Sequence, residues 1–160
     1  LPAAPPRSAP ATAATPAAAV VAEPPRRSTA DDLKIAPRDP KASRASVERG
    51  RNALNRLSLQ EAESAFNQAL EADSTNANAI AGLSEVAFER SRYTEALDYA
   101  RRALQASPRS WRYLVLVGDA YFKLFRYTDA KTAYDRALQL GAPIETVRSR
   151  LARVKSKVGQ

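Results

Sequence analysis

The stretch YTEALDYARRAL at residues 93–104 recurs as YTDAKTAYDRAL at 127–138 and, more loosely, as LQEAESAFNQAL at 59–70. Ala62, Ala96 and Ala130 are 34 residues apart each time. At that offset Ala69-Leu70, Ala103-Leu104 and Ala137-Leu138 superpose, as do Phe66, Ala100 and Tyr134. Gly50 and Gly118 are also in register, with Gly82 and Ser84 beside the corresponding place in the middle unit. A fixed period of this length marks stacked supersecondary units. Within the quoted stretch Ala96, Leu97, Ala100, Ala103 and Leu104 share one helical face, and the segment before it places Ile80, Leu83, Ala87 and Phe88 likewise. The strict alternation that marks strands is absent. Each unit therefore reads as a pair of helices, and the fold class as all-α.

The breaks between periodic stretches fall at residues that stop or start helices. Ser58 with Glu61 has the form of a capping box, Pro108 follows the middle unit, and Gly141-Ala142-Pro143 ends one helix and opens the next. Asp39-Pro40 reads as an N-cap followed by proline in the first turn. Helices are expected over 40–57, 59–72, 77–90, 93–106, 111–124, 127–140 and 144–158. Ala62, Ala96 and Ala130 recur where the two helices of a hairpin approach closely and a larger side chain would overpack.

Composition divides the 160 residues sharply: 21 of the first 40 are Ala or Pro, nine of the 11 prolines lie there, and all 11 aromatics lie from Phe66 onward. Residues 1–38 thus read as a disordered, extended Ala/Pro-rich linker, and 39–160 as the folded domain. Within the linker, Arg26-Arg27-Ser28-Thr29 has the shape of a basophilic kinase site, modifiable at Ser28 or Thr29. Methionine is absent, so Leu1 is not a translation start, and the chain reads as a processed product or as the C-terminal portion of a larger protein. No apolar run approaches the ~18 residues of a membrane span, and no signal peptide is recognisable. The compartment is left open, with the cytoplasm preferred to the periplasm.

Cysteine, histidine and methionine are all absent. That removes disulfides, Cys/His metal sites, cysteine nucleophiles and imidazole-dependent triads. The net charge of +8 sits on the folded part: residues 41–160 carry 20 basic and 13 acidic groups, against five and four before them. Arg148, Arg150, Arg153, Lys155 and Lys157 crowd the last segment with only Glu145 to oppose them. Arginine outnumbers lysine 19 to 6, which with abundant alanine suits a high-GC bacterium.

The residues Gly118, Tyr121, Tyr127, Ala130, Tyr134, Ala137 and Pro143 resemble the tetratricopeptide (TPR) repeat. The third unit fits best. The first fits least, with Arg49 and Ala53 where the family prefers Leu and Tyr. The resemblance implies an α-solenoid of helix-turn-helix repeats coiled into a right-handed superhelix, with repeats at about 43–76, 77–110 and 111–144 and a capping helix at about 144–158. Each hairpin in such an array buries its apolar face only against its neighbours.

The same resemblance implies a concave groove, lined by the first helix of each pair, that holds a peptide or a partner segment. Carried over by position, the groove comprises Arg44, Val47, Arg51, Leu54 and Asn55 from the first unit. The second supplies Asn78, Ala81, Glu85, Phe88 and Glu89, and the third Arg112, Val115, Asp119, Phe122 and Lys123. Apolar anchors flanked by charges suit peptide recognition; the structural alternative is that Phe88 and Phe122 simply pack between helices. The clamp by which some members hold the terminal carboxylates of heat-shock chaperones falls on Val47, Arg51, Gly82, Arg112 and Leu116 here, so the amides it needs are missing. Glu85, Glu89 and Asp119 are expected to be balanced by Arg51, Arg112 and Lys123 rather than to act as catalysts.

Taken together the sequence predicts a non-enzymatic protein-interaction scaffold, with no cofactor, no metal and no small-molecule substrate, within a larger bacterial signalling or envelope protein. The alternative is a basic surface on the last helix, comprising Arg148, Arg150, Arg153, Lys155 and Lys157, that binds nucleic acid or anionic membrane. A further possibility has Leu33 and Ile35 of the linker entering the chain's own groove.

Overall fold

The computed structural model describes residues 38–159. The linker expected over 1–38, its Ser28 and Thr29, and Leu33 and Ile35 lie outside the described residues, Arg38 excepted. Among the described residues every regular element is an α-helix: α1 (Pro40–Asn55), α2 (Leu59–Ala72), α3 (Ala77–Glu89), α4 (Tyr93–Ala106), α5 (Trp111–Lys123), α6 (Tyr127–Gln139) and α7 (Ile144–Val158). None is long and apolar enough to cross a membrane. Each helix packs on the next in sequence, and in addition α1 meets α3, α3 meets α5 and α5 meets α7, whereas the second helices of the hairpins do not meet one another. The stack therefore curves, with the first helices on its inside. This is the α-solenoid that the repeat predicts.

The helix starts follow the sequence closely. Asp39 caps α1, its carboxylate accepting from the backbone N–H groups of Lys41 and Ala42 at 3.0 and 2.9 Å, with Pro40 in the first turn. Asn76 caps α3 in the same way. The helix ends come earlier than expected within each hairpin, and the reason repeats. Leu57, Ser91 and Phe125 adopt left-handed backbone conformations, with φ of 58°, 60° and 61°. The next N–H in each case returns to the helix, Ser58 to the carbonyl of Ala53, Arg92 to Ala87 and Arg126 to Tyr121, all at 2.9 Å. These are Schellman-type ends, which tighten the turn and use up the last carbonyls. The end of α6 is built identically on Gly141, with φ of 88°.

This turn overrides the capping box expected at Ser58 and Glu61. The box needs the Ser58 N–H as a donor to Glu61, but that N–H is already bonded to Ala53. Ser58 makes no side-chain cap, and Glu61 pairs with Arg56 at 3.0 Å instead.

Ala62, Ala96 and Ala130 are fully buried, as close packing demands. The largest fully buried side chains are Tyr134 and Phe66. Phe66 lies between Gly50 of its own hairpin and Gly82 of the next, where a Cβ on either glycine would collide with the ring. In the middle unit Ser84 occupies the place of Gly50 and Gly118, and it fits because Ala100 stands where the neighbours carry Phe66 and Tyr134. Its hydroxyl donates to the Ala96 carbonyl at 2.7 Å, so no buried donor is left unpaired. At the N-terminal end Arg38 forms an ion pair with buried Asp73 at 2.8 Å and also donates to Thr75. The first described residue already belongs to the fold.

Candidate functional site

Because α1, α3, α5 and α7 succeed one another on the inside of the curve, residues 34 apart stand side by side across the groove. One such row is Arg51, Glu85, Asp119 and Arg153, with its cations at the ends and its acids between. Next to it runs the row Leu54, Phe88, Phe122 and Ser156, whose first three members are half-buried. Side chains of α1, α3, α5 and α7 meet in one crevice of about 320 Å³ whose walls include Leu54, Phe88, Leu116 and Arg150. A second crevice of about 280 Å³ lies around Arg51, Asn78, Glu85, Arg112 and Tyr113. The first mixes apolar and charged walls and the second is mainly polar.

Of the residues expected in the groove, ten line its two crevices, among them Arg51, Leu54, Glu85, Phe88, Arg112 and Asp119. Arg44, Arg51, Asn55, Asn78, Glu85, Glu89, Arg112 and Lys123 are exposed, and Leu54, Phe88, Asp119 and Phe122 are half-buried. Val47, Ala81 and Val115 are buried, at 7%, 5% and 6% exposure, and belong to the apolar core; of the three only Ala81 lines one of the two crevices, the second. These three share one position of the repeat.

The two phenylalanines combine packing with exposure. Phe88 meets Tyr93 edge to face, and Phe122 meets Tyr127, each with ring centroids 5.4 Å apart. The pairs lock the end of each first helix to the start of the second. The open ring faces are covered by cations from the following unit: Lys123 lies 5.8 Å from Phe88 and 5.5 Å from Tyr93, and Arg153 lies 4.7 Å from Phe122.

Charge balance in the groove differs in part from expectation. Asp119 is held by Arg150 at 2.8 Å and accepts from the Tyr134 hydroxyl at 2.6 Å. Burial and the adjacent Asp119 carboxylate push the Tyr134 hydroxyl far above its usual titration range. The bond to Asp119 likewise raises Arg150, which keeps it charged. Glu85 is the acid that Arg51 and Arg112 face. Desolvation among the inner helices raises its carboxyl, and those two cations pull against the rise. Tyr113, which donates to Asn78 at 2.9 Å, is raised by desolvation as well.

The last helix does not carry one basic face. Arg148 is turned to solvent and lies 3.5 Å from Glu145, and Lys155, one heptad on, shares its side. Arg150, Arg153 and Lys157 instead line the rim of the groove, where Arg150 is engaged with Asp119. The five-residue patch is thus divided, because α7 packs as the first helix of a further unit. Continuing the offset of 34 beyond α5 would have placed Arg153 and Lys157 in the groove from sequence, as the counterparts of Asp119 and Lys123.

The comparisons with known proteins agree with this architecture. Among curated protein sequences none matches the chain. Several solved structures share the fold. The first TPR domain of Spaghetti (RPAP3), solved with an HSP90 peptide bound, aligns with a TM-score of 0.72 and 18% identity over 76% of this chain and 97% of that one. The TPR domain of Arabidopsis OM64 aligns at 0.68 with 20% identity, covering 73% and 97%. That of Sgt2 from Aspergillus fumigatus aligns at 0.69 with 20% identity, covering 73% and 79%. The family model described as anaphase-promoting complex, cyclosome, subunit 3 matches residues 55–137, and the chain belongs to this TPR-type family.

Proposed function

We propose that the chain is a protein-interaction scaffold that holds a peptide segment of a partner protein in its concave groove, without catalysing a reaction. The observation that supports this most is the pairing of two rows along the inner helices: the charges Arg51, Glu85, Asp119 and Arg153 beside the half-buried Leu54, Phe88 and Phe122. Apolar side chains left partly open and flanked by fixed charges are what an extended or helical peptide needs for anchoring and register. The peptide-bound state of the Spaghetti TPR domain supports the same use of the fold. The heat-shock peptide itself is not carried over, since two clamp positions are taken by Val47 and Gly82, both buried in this chain. The Arg- and Ala-rich composition supports a bacterial source, and the Ala/Pro-rich stretch supports a tethered place in a larger signalling or envelope protein.

Affinity capture from source-cell lysate, comparing the full chain with Glu85→Lys and Phe88→Ser variants of confirmed helicity, tests the groove. Partners retained by the parent and lost from both folded variants are the expected result. Capture of nucleic acid by parent and variants alike, abolished by salt, would replace this reading with a basic-surface one centred on Arg148 and Lys155.

A further inference from the structure

Phe125 stands at the left-handed position of the α5–α6 turn, with φ of 61°, and is 78% exposed. The same turn geometry at the end of α6 is filled by Gly141, in the middle hairpin by Ser91, and in the first by Leu57, an exposed apolar residue but not an aromatic one. A large ring at this place strains the backbone and exposes apolar surface together. The ring forms one wall of a cavity of about 770 Å³ at the edge of the solenoid. Tyr93, Phe122, Leu124 and Tyr127 form its other apolar walls, and Lys123, Arg153 and Lys157 its rim. No acidic residue lines it, and among the described residues none of these three cations is paired with a carboxylate.

We infer that this turn-edge pocket is a docking site for an acidic segment carrying one aromatic side chain, which inserts between Phe125 and Tyr127 while its carboxylates meet Lys123, Arg153 and Lys157. The site adjoins the end of the peptide groove, sharing Phe122, Lys123 and Arg153 with it, while Leu124, Phe125 and Tyr127 belong to the turn edge alone. Its walls explain the aromatic anchor: Phe125 already meets Tyr127 edge to face at 6.3 Å, leaving an open ring face for a third aromatic. Its rim explains the acid, because unpaired cations around a low-dielectric hollow attract and orient negative charge. A second copy is disfavoured as occupant, since each chain carries a net charge of +8.

The test is fluorescence anisotropy on the full chain with three labelled peptides: glutamates around one phenylalanine, glutamates around one serine, and lysines around one phenylalanine. Only the first is expected to bind. Phe125→Ser, which leaves the helices intact by circular dichroism, weakens it about tenfold or more, as loss of a central anchor does. Lys157→Glu weakens it about fivefold at low salt and less at high salt. Glu71→Gln, at an exposed position on α2, leaves it unchanged. Equal binding of the serine peptide would reduce the site to general charge attraction and overturn the proposal. So would absence of binding by the first peptide, or affinity unmoved by Phe125→Ser. Concentration-dependent self-association abolished by Phe125→Ser would overturn it in favour of a second copy. Partner capture that survives Phe125→Ser but fails with Phe88→Ser leaves the groove reading standing alone.

Discussion

The ring of Tyr134 on α6 lies so close to Gly118 on α5 that a Cβ added to the glycine would stand 2.5 Å from the ring. Phe66 holds the same relation to Gly50, whereas the middle hairpin replaces the pair by Ser84 and Ala100. Size is conserved across each pair rather than at either position.

Gly118→Ala is therefore expected to destabilise the domain by about 1–3 kcal/mol, the usual cost of overpacking. Ala96→Leu, at a fully buried contact of the middle hairpin, costs a similar amount. Urea midpoints measure both. Combining Gly118→Ala with Tyr134→Ala should cost less than the sum of the single changes, because the space vacated by the ring accepts the methyl group. Strict additivity would remove the contact.

Tyr134→Phe tests the bond to Asp119. Its loss costs about 1.5–3 kcal/mol at neutral pH, the range for a hydrogen bond to a charged group. The folded hydroxyl titrates far above its unfolded counterpart, near 10, so the stability linked to it is present below that value and fades as pH rises above it. The gap between parent and variant in thermal melts should narrow above pH ~10. A constant gap would show that the hydroxyl is not held neutral by the fold.

At the other end of the stack, the Arg38 guanidinium holds the Asp73 carboxyl below its ordinary value of 3.8, with help from Thr75. A depressed folded value contributes stability above the unfolded pKa and loses it as pH falls through the folded one. Arg38→Ala should lower the melting temperature at pH 7, and the difference should shrink below pH ~4. Equal melts at neutral pH would mean that Arg38 does not anchor the start of the fold.

Leu57→Gly is expected to be stabilising by roughly 0.5–1 kcal/mol. It relieves a left-handed backbone on a residue 70% exposed, and the relief exceeds the added flexibility of glycine in the unfolded chain. Chemical denaturation reads it directly. A loss of stability would show that the exposed leucine contributes packing after all.

The helices, their pairing and the solenoid were legible in the 34-residue recurrence of Ala62, Ala96 and Ala130, because a repeated apolar face can be buried only against a copy of itself. So were the cap at Asp39 and the stop at Gly141, which depend on residues within a few positions of one another. The site was legible to the depth of a helix face. Tertiary structure alone decided that Val47, Ala81 and Val115 are buried, since a boundary position on a helix is settled by where the neighbouring helix lies. It also decided that the Ser58 N–H goes to Ala53 and that Asp119 takes Arg150, two bonds won by competition among several local partners. The exposed left-handed Phe125 belongs with these: sequence gives the residue type, but only the folded turn shows that it is strained, open and flanked by Arg153 and Lys157 of α7 as well as by nearby Lys123.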